Sequence, residues 1–224
     1  MRSHRQVGKI PWNNLVIPKK GNKMKIRVLF YRAERDGHWL DDGISLWTKL
    51  FNWKTKPYSH CEIWWPDADG RFETVSDKIE ASCKSDAGGT TYTIEMPPTV
   101  KYHGECFTST MRGKHNGTVI RPAYTVLTHP ERWDYCEILV SDNVGEMAKE
   151  NARLFAENNE GYDLLCILGF FLPWRLRSYD KDICSEVVQK FLCWCRVFPD
   201  FKVWSPRRLS TKVIAEGYKI VPLK

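Results

Sequence analysis

The chain has 224 residues, 42% of them apolar and 13% aromatic, enough for a substantial core in one large domain or two small ones. No apolar run reaches the roughly 18 to 20 residues that span a bilayer; the longest, LLCILGFFLPW at 164 to 174, stops at a proline, and no apolar signal-peptide core precedes it at the N-terminus, so neither a transmembrane segment nor classical secretion is expected. The net charge of +7 comes from the first 27 residues, which hold eight Lys and Arg and no acid, leaving the rest of the chain close to neutral.

Residues 1 to 24 read as a basic arm, a solvated lead-in able to meet an acidic protein surface, nucleic acid or anionic lipid. KIRVLFYRA (25 to 33) has the β-branched and aromatic content of a first strand, and HWLDDGISLWTKLFNW has helical spacing at Ile44, Leu46, Trp47, Leu50 and Phe51. PYSHCEIWW (57 to 65) is a short strand opened by His60, with Glu62 next on the same face because strand side chains alternate. PDADGR is a turn, and RFETVS is predicted to pair back on that strand as a hairpin arm. KSDAGGT is another turn and TYTIEM another strand. From 97 to 118 the periodicity is lost among Pro97, Pro98, Gly104, Gly113 and Gly117, which predicts a long loop or insertion.

YCEILV (135 to 140) reads as a strand, and SDNVGEMAKENARLFAENN as a helix capped by Ser141 or Asp142 and ended by Gly161. YDLLCILGFFL is a second, mostly buried helix, DICSEVVQKFLCWCRVF a third with Asp182 as its N-cap, and GYKIVPL a short closing strand. Nothing repeats and no low-complexity tract divides the chain, so residues 25 to 224 form one α+β unit.

Eight cysteines are scattered through strand-like and helix-like segments of a chain too large to need stapling, which points to reduced thiols in a cytoplasmic setting. No C-x-x-C pair exists, and Cys83, His103, Cys106 and His115 match no compact zinc-ligand spacing; no metal or cofactor is expected. Cys184 differs from the others. It falls in the first turn of the third helix, where unpaired backbone N–H groups favour a thiolate, whereas Cys193 and Cys195 lie further in and Cys61 and Cys136 are mid-strand. His60, at a strand edge, is the candidate base for it.

The order PYSHCEIWW, ASCKSDAGGT, EGYDLLCILGF, KDICSEVVQKFL, WSPRRLS resembles the permuted papain-like branch of the NlpC-type superfamily, the YiiX-like proteins and their phage-encoded relatives. In that branch the histidine strand precedes the cysteine helix, the reverse of papain. The resemblance covers roughly residues 26 to 215 and rests on two anchors, the S-H-x-E strand and the C-S-E-V-V helix start followed by an S-P step. It implies a circularly permuted papain-like fold, an antiparallel sheet packed against helices, with Cys184 as nucleophile and His60 as general base. The implied activity is a thiol hydrolase or acyltransferase, a cysteine peptidase or amidase acting on peptide, peptidoglycan or acyl substrates, in the cytoplasm or associated with a virion.

For the third member, Glu62 shares a strand face with His60 and is preferred; Glu73, on the expected return strand, lies about where the wider superfamily puts its orienting polar residue. Glu186 is expected to point away from the thiol and order the helix turn. Tyr58, Trp64, Trp65, Tyr162 and Trp174 are candidates to line a cleft, although aromatics in such numbers also build cores. Residues 97 to 134, the arm and GYKIVPLK find no counterpart in the resemblance. The alternative function is a structural or virion-associated protein that keeps the fold and binds partners through its basic arm.

Overall fold

The computed structural model describes residues 23–32, 58–66, 73–75, 78–83, 90–95, 99–111, 115–158, 161–163 and 182–223. The segments read above as the arm up to residue 22, the helix around residues 38–53, the buried helix around 162–172 beyond Asp163, and Trp174 lie outside them.

The first strand, Lys23–Arg32 (β1), holds the middle of the molecule. It pairs antiparallel with Trp133–Ser141 (β9) along one side and with Tyr58–Trp65 (β2) along the other. A strand flanked on both sides and covered on both faces can be apolar throughout, and every residue from Ile26 to Tyr31 is buried. Its one charge there, Arg27, lies over the rings of Trp64 and Tyr135, 4.6 and 5.1 Å from their centroids, and bonds Glu137 at 3.3 Å. Lys23 and Met24 pair with Ser141 and Val140, so the sheet begins two residues inside the segment read as the arm.

Two further strands, Glu105–Thr110 (β7) and Gly117–Pro122 (β8), extend this sheet beyond β2, and the closing strand Val221–Pro222 (β10) joins at β9, giving the order β10-β9-β1-β2-β7-β8 with antiparallel pairing throughout. This corrects the expectation of a loop from 97 to 118. The glycines and prolines there punctuate strands instead of dissolving them: Gly104 and Gly117, with φ of 95° and 118°, sit at the starts of β7 and β8, in backbone that other residues rarely adopt. ECFTST escaped notice because its buried positions are mostly Cys, Thr and Ser, which carry no apolar alternation.

The expected hairpin on β2 is also corrected. Glu73–Val75 (β3) pairs with Thr99–Lys101 (β6) in a separate two-stranded sheet, with Glu73 opposite Lys101. Lys78–Cys83 (β4) and Thr90–Glu95 (β5) form the other small sheet, around the expected KSDAGGT turn.

Helices cover both faces unequally. Asp142–Glu157 (α2), Cys184–Trp194 (α3) and Pro206–Ala215 (α4) lie on one, burying Val28, Phe30, Cys61, Ile63, Trp65, Phe107, Val187, Phe191 and Leu209 in the main core; the short Ala123–Val126 (α1) and the Pro130–Arg132 turn help cover the other, around Leu29, Tyr31, Trp64, Tyr102 and Trp133. Trp65, Phe107 and Phe191 stack 5.5 to 6.1 Å apart where α3 meets the sheet, pairs worth about 0.5–1.5 kcal/mol each beyond their burial. At Gly145 an added Cβ would stand 2.5 Å from the Met24 sulfur, so glycine permits the approach of α2 to β1.

The chain is therefore an α+β protein with a six-stranded antiparallel sheet packed against helices. Ser141 is the N-cap residue of α2, which closes at Asn158 before Gly161 is reached, and α4 starts at Ser205 with its hydroxyl accepting the Arg208 N–H and Pro206 in the first turn. Among the described residues no helix is long and apolar enough to cross a membrane.

Candidate active site

The site is built where the sheet comes apart. β2 pairs with β7 only at Ile63, Trp64 and Trp65; toward its start it keeps β1 as a partner but leaves β7. The freed backbone is not abandoned to the interior, which would be costly. Thr108, on β7, donates its hydroxyl to the Cys61 carbonyl at 3.0 Å, and the Cys61 backbone is among the groups that lower the Cys184 thiol. A bulge adds to the irregularity: Tyr31 faces His60 but Arg32 faces Tyr58, leaving Ser59 as an extra residue that turns the strand just before the histidine.

Cys184 is the first residue of α3. The segment leading into it is tied down on several sides: Ser109 Oγ donates to the Asp182 carbonyl at 2.8 Å, the Asp163 N–H donates to the same carbonyl, and Ser185 Oγ donates to the Trp204 carbonyl at 2.6 Å. The cap differs from the expected one. Ile183 takes the N-cap position, and Asp182 directs its carboxylate to Lys190 at 2.6 Å. Ile183 offers no side-chain oxygen, and the N–H groups of Cys184 and Ser185 have no carbonyl within the helix to bond. Glu186, fully buried, reaches back to accept the Ile183 N–H at 3.1 Å, ordering the turn as expected.

Within this frame the thiol is strongly acidic. The Cys61 S–H donates to the Cys184 sulfur, burial opposes the charge, and the His60 charge, the His60 hydrogen bond and the Cys61 N–H then carry the balance well below the ordinary thiol value of 9.0. His60 moves the other way. Burial alone would push it down, but the Cys184 thiolate, followed by Glu62, overcomes this and raises the ring from 6.5 to about 9. Burial drives every other shifted thiol up, Cys61 and Cys106 well above 9.0, Cys136 and Cys195 to about 12 and Cys193 to about 11. Among the described cysteines whose shift is resolved, the first-turn one alone moves toward the thiolate.

The acid partner is Glu62. Its Oε1 lies 2.9 Å from His60 Nε2, leaving Nδ1 as the ring nitrogen for the thiol, and both side chains are buried. The same oxygen accepts a hydrogen bond from Arg121 at 2.8 Å, a residue of β8. Thr108 Oγ1 is 3.5 Å from His60 Nε2, and the His60 ring meets that of Trp133 edge-on at 6.3 Å. At the split a chain thus runs from guanidinium to carboxylate to imidazole, with the thiol next to the ring.

The structure brings Cys184, His60 and Glu62 together and puts Glu73 on a strand of another sheet. Trp64 and Trp65 are 1% and 2% exposed, core residues and not cleft lining; Tyr58 is buried too, its hydroxyl donating to Asp134 at 2.6 Å, and Tyr162, half-buried, bridges to Asp182. Sequence reasoning missed Arg121, Thr108 and Ser109, all from the 97 to 134 stretch that finds no counterpart in the resemblance. Their signal was faint: Thr, Ser and Arg are ordinary strand-surface residues until a pairing is known. The six described cysteines other than Cys83 and Cys166 are free, and among the described residues no group of three or more His, Cys, Asp and Glu is placed to hold a metal ion.

No protein-family model matches this chain, and no curated protein or solved structure matches it.

Proposed function

We propose that the chain is a cysteine hydrolase of the amidase or peptidase kind, acting on amide or ester bonds through Cys184, His60 and Glu62, on a scaffold of permuted papain-like architecture. The observation that carries this reading is a buried cysteine as the first residue of a helix beside a buried imidazole whose far nitrogen a carboxylate holds at 2.9 Å, an arrangement that lowers the thiol and raises the ring. Holding two opposite charges out of water costs several kcal/mol per ion before their attraction is counted, a cost that chemistry at the pair would explain. Opposed proton affinities within one buried pair support a chemical role.

The reaction divides the work by atom. Cys184 Sγ attacks a carbonyl carbon and forms a tetrahedral adduct; the His60 imidazolium gives its proton to the departing nitrogen or oxygen; the neutral ring then takes a proton from water, which releases the acyl group and regenerates the thiolate. The oxyanion leans on the N–H groups of Cys184 and Ser185, which the helix leaves unused. Glu62, bonded to Nε2, sets the ring orientation and tautomer.

Two pH limits follow from the signs. A thiolate with a lowered pKa is present above that lowered value and is lost as pH falls through it; an imidazolium with a raised pKa is lost as pH rises through about 9. The reactive pair therefore exists between these limits. The test is the pH profile of iodoacetamide labelling, located by peptide mapping, together with hydrolysis of an activated acyl ester. Cys184 should label faster than every other cysteine at neutral pH, and His60→Ala should move its inflection up toward 9. Equal labelling of all thiols, unmoved by His60→Ala, would remove the proposal.

A further inference from the structure

Independently of the hydrolase reading, we infer that the outward face of α4 is a docking surface for a membrane that carries anionic lipid. The near-neutral charge of the chain beyond the arm hides a division: residues 196 to 224 hold seven Lys and Arg against two acids, a net charge of +5. Three of those cations, Arg207, Arg208 and Lys212, lie on α4, and Pro206–Ala215 contains no acid. A helix turns about 100° per residue, and α4 uses that period to separate two faces. Pro206, Leu209, Ser210 and Val213 are buried against the core, while the three cations, Thr211, Ile214 and Ala215 occupy the opposite arc.

These cations differ from those on the other elements. Arg27 and Arg32 in β1, Arg121 in β8, Arg153 in α2 and Lys190 in α3 each face a carboxylate at 2.6 to 3.7 Å. Among the described residues no carboxylate forms an ion pair with Arg207, Arg208 or Lys212; Lys212 Nζ stands instead 5.9 Å from the centre of the Trp204 ring. Helix stability does not account for them either. Arg207 and Arg208 fall in the first turn, where the helix dipole disfavours a cation, and Ser205 already caps that turn. A face that gathers positive charge without internal partners is complementary to an anionic surface.

The choice of a lipid surface rests on the apolar groups beside the charges. Ile214 is 55% exposed on the same arc as the cations, and Phe201, on the segment leading into α4, is 38% exposed. Lys and Arg heads on lipid phosphates, with an apolar side chain reaching the acyl boundary between them, are the pattern of a helix lying flat on a bilayer. Phosphates of a nucleic acid would use the cations but gain nothing from an exposed isoleucine.

The test sediments the purified full-length protein with vesicles of phosphatidylcholine mixed with phosphatidylglycerol, and with vesicles of phosphatidylcholine alone. Binding is expected to the first and not the second, weakening as salt is raised. Arg207→Gln, Arg208→Gln and Lys212→Gln together should weaken it roughly 100-fold, about a factor of five for each cation near an anionic surface. Arg208→Gln alone should cost about fivefold, which keeps the test open if the triple variant fails to fold. Ile214→Asn should weaken binding roughly tenfold and leave its salt dependence unchanged. Wild-type affinity in whichever cation variant folds would assign the binding to the basic arm and overturn the inference, as would no binding by the wild type. Tighter binding to a DNA oligonucleotide than to the mixed vesicles, or vesicle binding that Ile214→Asn leaves intact, would overturn it too. No readout involves Cys184, so this result and the hydrolase reading stand or fall separately.

Discussion

The two ends of β2 begin from similar material and end as different structures. Ile63, Trp64 and Trp65 are laddered between β1 and β7, and their side chains fill the cores on either face. His60, Cys61 and Glu62 keep only the ladder to β1; on the other edge a threonine hydroxyl stands in for β7. The apolar end stabilises by area and packing. The polar end brings together, where two strands part, backbone groups and side chains that no intact sheet would leave available.

The sharpest way to break this contrast is at the polar end. Cys184→Ser should abolish selective labelling. His60→Ala should slow labelling at neutral pH by roughly 10- to 100-fold, the thiolate fraction falling as the thiol returns toward 9.0 while the lower acidity returns some nucleophilicity. Kinetics of iodoacetamide incorporation measure both.

Arg121→Met removes the guanidinium from a carboxylate that is 1% exposed. Breaking a buried ion pair on one side costs about 3–5 kcal/mol, read as a lower urea midpoint, and the pH profile of Cys184 labelling should shift with it because Glu62 then bonds His60 alone.

Thr108→Val keeps the shape and deletes the hydroxyl that serves the Cys61 carbonyl. A buried carbonyl left unserved costs about 1–3 kcal/mol, and the thermal midpoint should fall accordingly. At the apolar end, Ile63→Val should cost about 0.5–1.5 kcal/mol, the penalty for one methylene in a packed core, without moving the labelling profile. A change of profile in Ile63→Val as large as in Arg121→Met would erase the distinction between the two ends.

Much of this was legible in the chain itself. The strand around His60, the helix starting at Cys184, the strand at 135–140, the helix after it and the closing strand all announce themselves by periodicity or by turn and capping residues. The face shared by His60 and Glu62 follows from strand alternation alone. The pairing of β3 did not, because the short run RFETVS carries no register and any neighbouring edge satisfies its backbone. β7 and β8 hid for a related reason. A central strand with Thr and Ser at its buried positions looks like a loop until the elements above and below it are known.

The sequence alone therefore determined which residues have the means for thiol chemistry, because acidity at a helix start and alternation along a strand are local properties of the chain. Tertiary structure decided which of them meet. The parting of β2 from β7 and the reach of Arg121 and Thr108 from strands that periodicity did not reveal depend on contacts between distant segments. Burial and neighbouring charge set proton affinity there, and neither is written in any single segment.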